Sequence, residues 1–190
     1  VTVSPDQREV AVKIALTGAA DSGKLAILRA IASRKGVTQV REHPVGELRT
    51  FRAEWTEPLP AGKRLRIAVH SLTGRTVYDA AEELLTRDAD GLIFVADATP
   101  DKFRPTWEAL MRLGENARRN GYDLRSVALA LQYHHAERHP GFDPQALDSK
   151  LGVPQGAIPR FVSTDRNPDG DGMAFDSVMG QIHERLLEEA

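Results

Sequence analysis

Apolar positions along the chain alternate between short dense runs and stretches with helical spacing. Val10, Val12, Ile14, Ala15 and Leu16 form a dense run that predicts a buried strand. Leu25, Ile27, Leu28 and Ile31 then recur largely at three- and four-residue intervals, which predicts a helix ending near Lys35-Gly36. Residues 37–46, with Pro44 and several charges, read as a loop. Leu48, Thr50 (or Phe51 on the other face), Ala53 and Trp55 give a strand. A turn rich in proline and glycine follows at 58–62, and Leu65, Ile67 and Val69 alternate with polar or small neighbours, so the two runs predict a hairpin. Residues 76–87 read as a helix with Val77, Ala80, Ala81, Leu84 and Leu85 inward, and 92–97 as a strand buried on both faces. Thr99-Pro100 opens a longer helix to about residue 120 with an apolar stripe of Trp107, Leu110 and Met111. A strand over 127–133, a short helix over 144–151, a strand over 160–163 and a terminal helix over 174–187 complete the chain. The last helix would bury Phe175, Val178, Met179, Ile182 and Leu186.

This order predicts an α/β fold in one domain over residues 1–190: a mostly parallel six-stranded sheet with one antiparallel edge strand and helices on both faces. Ligands of such sheets sit beyond the carboxyl ends of the strands. The loops at 18–24, 71–75, 97–99 and 133–137, with Ser163 and Thr164, all fall there.

The first of these loops carries candidate chemistry. Gly18-Ala19-Ala20-Asp21-Ser22-Gly23-Lys24 fits the first seven positions of the phosphate-binding pattern G-x-x-x-x-G-K-[ST], in which backbone N–H groups wrap a phosphate and the lysine neutralises it. The strand before it and the helix after it point a helix N-terminus at the anion. Leu25 breaks the eighth position.

Composition narrows the function classes. Hydrophobic residues make up 41%, charged residues 27%, and the net charge of −2 gives no bias toward nucleic acid. The absence of cysteine excludes disulfides, thiolate zinc sites and thiol catalysis, and suits a cytoplasmic protein. No apolar stretch approaches the ~20 residues of a bilayer span and no signal peptide is evident, so direct membrane insertion is not expected.

Three further features invite sharper readings. His134, His135 and His139 suggest zinc, but Pro140-Gly141 opposes a helix there and no cysteine completes a site, so a solvated loop is the expectation. Residues 165–171 begin a D-x-N-x-D-G calcium-loop pattern with Asp176 at position twelve. The competing reading is an acidic loop capping the last helix. Arg34, Lys35, Arg118 and Arg119 read as solvated, and Trp55 would mark a partner surface if its side of the hairpin is not core.

The element order, with a phosphate loop after the first strand, resembles the Ras-like small GTPases, and in finer detail the MglA-type bacterial gliding-motility and polarity GTPases over nearly the whole chain. The family's T-V-P-G-Q-x-x-Y-x-A resembles the segment from Ser71 to Ala80, its D-G-V-V-F-V-A-D-S the segment from Asp90 to Ala98, and its Q-Y-N-K-R-D the segment from Gln132 to Glu137. Its first-switch R-T resembles Arg49-Thr50. The resemblance implies GTP or GDP with Mg²⁺, an arginine finger at Arg49, a first-switch hydroxyl at Thr50, a metal-side group at Ser71 and base contacts from Ser163 and Thr164.

The departures fall in every part of that machinery. Leu25 replaces the hydroxyl that ligates Mg²⁺, Ser71 leaves only a neutral hydroxyl, and Arg75, after Gly74, replaces the glutamine that orients water. His134, His135 and Glu137 stand in place of the base-reading Asn, Lys and Asp. The expectation is therefore a regulatory interaction or scaffold protein, a pseudo-GTPase with weak or no GTP binding, for which no bound nucleotide or metal is equally in keeping. The alternative is a GTP-binding switch with slow hydrolysis in bacterial polarity or motility, and a further one is a phosphate site repurposed for another anion. The family's Roadblock-fold regulators are the partner class that the resemblance implies.

Overall fold

The computed structural model describes residues 2–3, 9–45, 48–73, 79–154 and 156–188. Among these, eight strands form one sheet: β1 (Thr2–Val3), β2 (Glu9–Thr17), β3 (Arg41–Val45), β4 (Leu48–Pro58), β5 (Arg64–Thr73), β6 (Gly91–Asp97), β7 (Ala128–His134) and β8 (Arg160–Val162). Their order is β3-β4-β5-β2-β6-β7-β8, with β1 on β2. β5, β2, β6, β7 and β8 run parallel, while β3 on β4, β4 on β5 and β1 on β2 are antiparallel. The helices are α1 (Lys24–Arg34), α2 (Asp79–Thr86), α3 (Phe103–Arg119), α4 (Pro144–Leu151) and α5 (Met173–Glu188).

The central strands are apolar throughout because both faces are covered, and their residues alternate between two cores. Ile14, Leu16, Ile93, Val95, Ala128 and Ala130 pack with Ile27, Leu28 and Ile31 of α1 and Phe175, Val178 and Ile182 of α5. Ala15, Leu92, Phe94, Leu129, Leu131 and Tyr133 pack on the other face with Ala109 and Leu113 of α3 and Leu151 of α4. Each fully buried Leu, Ile or Phe contributes about 2 kcal/mol. The α/β sheet with helices on both faces is the architecture that the periodicity predicts.

Several local expectations are corrected. Residues 41–45 are not loop but β3, an edge strand whose Arg41, Glu42, His43 and Pro44 are exposed. With neither face buried there is no alternation to read, and an edge tolerates proline. In β4 the core face is that of Phe51 and Ala53, and the Trp55 ring lies 5.6 Å from Phe175 while its indole N–H donates to Glu57 at 2.9 Å. Trp55 therefore sits on the core side of the hairpin.

The two helices on the α2 side present faces other than those expected. In α2, Ala80 is exposed and Leu84 is 57% exposed, while Glu82 and Thr86 are buried; Val77 lies outside the described residues. In α3, Trp107 (42%) and Met111 (40%) are exposed, and Thr106, Ala109, Leu113, Asn116 and Ala117 face inward. The small residues let α3 approach the sheet closely. The buried Glu82 is tolerated because Arg112 reaches it at 3.4 Å.

Candidate functional site

The phosphate-loop segment lies between β2 and α1, as its sequence predicts. Gly18 (φ 135°) and Gly23 (φ 93°) occupy the region that favours glycine, and neither has room for a side chain. A Cβ on Gly18 would fall 2.2 Å from the Val95 carbonyl oxygen, and one on Gly23 would fall 2.0 Å from the His134 ring. Ala19 is buried, Ala20 half-buried, and Asp21 (φ 59°) is exposed, so its carboxylate faces out of the loop.

Lys24 is buried, and its Nζ donates to the Gly18 carbonyl at 3.0 Å and to the Ala19 carbonyl. Desolvation lowers its pKa to about 8, opposed by the charges of Glu82 and Asp21. The buried hydroxyls of Thr17, Ser22 and Ser71 make no hydrogen bond. Unpartnered buried hydroxyls and a buried ammonium at this end of the sheet fit a phosphate-bearing ligand.

Of the two residues expected to hold Mg²⁺, Ser71 is buried and Thr50 is half-buried. Leu25 packs against the apolar cluster of α1 and α5 and has no oxygen to offer. The Thr50 hydroxyl donates to the His43 carbonyl at 3.0 Å. Arg49 is exposed and pairs with Glu42 at 3.1 Å. The register of β4 on β5 sets Arg49 opposite Thr73 and Thr50 opposite Leu72, which brings both residues to the carboxyl edge of the sheet. Gly74 and Arg75 lie outside the described residues.

The base-reading end is where the sequence expectation of a solvated loop fails. His134 closes β7 with only 1% exposure and His135 (φ 61°) is also buried, their ring centroids 4.2 Å apart. His134 Nδ1 lies 2.9 Å from the buried Ser163 hydroxyl, and its Nε2 lies 3.7 Å from Asp165 Oδ1. His135 Nδ1 lies 3.1 Å from Asp97 Oδ2, and its Nε2 lies 3.3 Å from Asp165 Oδ1. Desolvation, helped by His135, lowers the His134 pKa to about 4. Glu137 is turned to the backbone, accepting from the Asp165 N–H at 3.3 Å, and the Thr164 hydroxyl accepts from the Asn167 N–H at 3.1 Å. His139 is separate, its ring 5.8 Å from Phe142.

Two other expectations change. The calcium-loop carboxylates are held by an arginine expected to be solvated: Arg34 pairs with Asp176 at 2.8 Å and Asp169 at 3.6 Å and reaches the Gly172 carbonyl. Lys35 pairs with Glu57 at 2.9 Å. Sequence reasoning also missed Asp97, Asp165 and Glu82 as partners of the site residues. Their only signal is position: Asp97 ends β6, Asp165 follows β8, and Glu82 lies one helix away from the lysine whose charge it balances.

A parallel sheet with a phosphate loop after β2, and with candidate site residues collected at its carboxyl edge, defines a Ras-like α/β fold. The chain is distantly similar to the Mutual gliding-motility protein MglA of Myxococcus xanthus (strain DK1622), 28% identical over 118 residues that cover 62% of this chain. The match spans 54% of that relative's length. No protein-family model matches the chain. Among the described residues, no helix is long and apolar enough to cross a membrane.

Proposed function

We propose that this chain is an MglA-like small-GTPase-fold protein that works as a regulatory interaction or scaffold protein, a pseudo-GTPase. One observation carries the reading. Where a base-reading Asn and Lys would stand, two buried imidazoles lie side by side, tilted at 42°, close to Ser163, Asp97 and Asp165, and Glu137 accepts from a backbone N–H. Guanine selectivity needs a bidentate acceptor free to meet the base, and Glu137, already bonded to the Asp165 N–H, is not free in this way. Leu25, facing the core, adds the loss of a metal oxygen.

The phosphate loop supports a second reading, a GTP-binding switch with slow hydrolysis in bacterial polarity or motility, because Lys24 and the orphaned hydroxyls of Ser22 and Ser71 remain poised for an anion. On either reading the function is cytoplasmic and exercised through protein partners, with a Roadblock-fold regulator as the first class to test. Extraction of the purified protein for bound nucleotide, then calorimetric titration of GTP, GDP and ATP with Mg²⁺, separates the two readings. The pseudo-GTPase predicts no GTP affinity tighter than about 10 μM, roughly −7 kcal/mol. A tighter affinity with preference over ATP overturns it in favour of the switch.

A further inference from the structure

The chemistry of the His134, His135 and Asp165 cluster is not exhausted by the loss of a base reader. The potential ligand atoms of these three residues all lie within 4.8 Å of one another. His134 Nδ1 shares a hydrogen bond with the Ser163 hydroxyl at 2.9 Å, which leaves Nε2 as the ring nitrogen turned toward Asp165. Asp97 Oδ2 lies 3.1 Å from His135 Nδ1, a buried nitrogen without a hydrogen-bond partner, and the Asp97 carboxylate is itself anchored by the Thr99 N–H at 2.9 Å. Both imidazoles turn Nε2 toward the same oxygen, Asp165 Oδ1, at 3.7 and 3.3 Å.

Two imidazole nitrogens and a carboxylate oxygen converging on one point offer a cation three ligands. The spacing suits one: ligands about 2.0–2.1 Å from a tetrahedral zinc ion stand roughly 3.3–3.4 Å apart, against 3.3 and 3.7 Å for the two nitrogen–oxygen separations. Hydroxyl and carboxylate partners on the remote imidazole nitrogens are the outer contacts that orient metal-bound histidines. Arg138 pairs with the other oxygen of Asp165 and fixes that carboxylate in turn. The carboxylates of Asp97, Asp165 and Glu137 outweigh that one guanidinium, so the local charge favours a dication. Asp165, 48% exposed, opens the cluster to solvent on one side.

We infer that His134, His135 and Asp165 form a site for a divalent transition metal of the zinc class, with a water completing the tetrahedron. The two nitrogens and one oxygen select a borderline cation over Mg²⁺ or Ca²⁺, which prefer all-oxygen shells. The metal clamps the loop after β7 to the loop after β8 beside Gly23. The site is independent of whether the phosphate loop binds nucleotide.

The test is equilibrium titration of the purified, chelator-stripped full chain with Zn²⁺ against a chromophoric chelator, and with Co²⁺ followed by visible absorption. One Zn²⁺ per chain with micromolar or tighter affinity, and the intense visible bands of tetrahedral Co²⁺, are expected. Asp165→Asn and His135→Asn should each weaken binding at least tenfold, whereas His183→Ala, on α5, should leave it unchanged. Asp165→Asn is chosen over any change at His134, which is packed against Gly23, so that folding is retained and checked by circular dichroism. No zinc uptake at 100 μM, uptake unaffected by Asp165→Asn, or uptake lost with His183→Ala each overturns the site. GTP titration in EDTA reads the nucleotide question separately, so failure of one proposal does not hide failure of the other.

Discussion

The phosphate loop and the loops after β7 and β8 sit side by side at the carboxyl edge of one sheet and manage their polar groups in opposite ways. In the phosphate loop the backbone is fixed by glycines that nothing else can replace, while hydroxyls at Thr17, Ser22 and Ser71 are left without partners. Beyond β7 most polar groups meet one another: His134 is bonded to Ser163, Asp165 to Arg138 and Glu137 to a backbone N–H, while His135 lies 3.1 Å from Asp97 and 3.3 Å from Asp165 with its Nδ1 making no hydrogen bond. Orphaned hydroxyls leave room for the acceptors of a ligand, whereas the mutual contacts beyond β7 fix the side chains in place. The two loops, neighbours on one sheet edge, thus differ in how far protein alone satisfies their polar groups.

Four measurements break or sharpen this contrast, from largest effect to smallest. The scaffold under the engaged half is the buried Asp148 carboxylate of α4, which accepts from the Tyr133 hydroxyl and pairs with Arg160 of β8. Asp148→Asn is expected to cost about 3 kcal/mol in urea unfolding, since it strips a buried pair of its charge. A loss below about 1 kcal/mol would mean that the β7–β8 side is not pinned this way.

Gly18→Ala tests the other half. The left-handed backbone and the overlap with the Val95 carbonyl should cost about 2–3 kcal/mol. A near-neutral result would show that the loop backbone shifts freely, removing the rigidity on which the contrast rests.

Acid should act on the engaged half. The His134 pKa is lowered from 6.5 to about 4 by burial, with His135 adding to the shift and Asp165, Glu137 and Asp97 opposing it. Between those values the unfolded chain takes up a proton that the folded one refuses, so stability is fully present above about pH 6.5 and falls as pH drops toward 4. His134→Asn, measured in EDTA, should flatten that part of the pH profile. His70, also lowered to about 4 by burial and by Arg52 and Lys13, supplies a second slope that the variant leaves in place. An unchanged profile in His134→Asn would move the acid sensitivity away from the site.

The smallest effect sets the baseline. Arg104 pairs with Glu108 one turn along an exposed face of α3. Arg104→Ala should change stability by less than about 0.5 kcal/mol, and a larger shift would call for the energies assigned to the site to be rescaled.

Periodicity by itself determined the fold class, the hairpin, the buried strands, the bounds of α4 and the inward face of α5, because these follow from local spacing and from apolar runs that have only one way to be covered. The phosphate loop was legible for the same reason: its glycines, lysine and flanking elements are contiguous. Tertiary structure alone decided which faces of α2 and α3 are buried, since Glu82 goes inside only because Arg112 and Lys24 come to it from elsewhere, while Trp107 and Met111 stay out because Ala109, Leu113 and Ala117 fit the sheet more closely. It also decided the character of the base-reading loop. His134 and His135 look solvated in a polar stretch, but Asp97, Ser163 and Asp165 reach them from the ends of β6 and β8. Burial of a polar side chain is set by partners distant in sequence, and no local pattern encodes where those partners arrive.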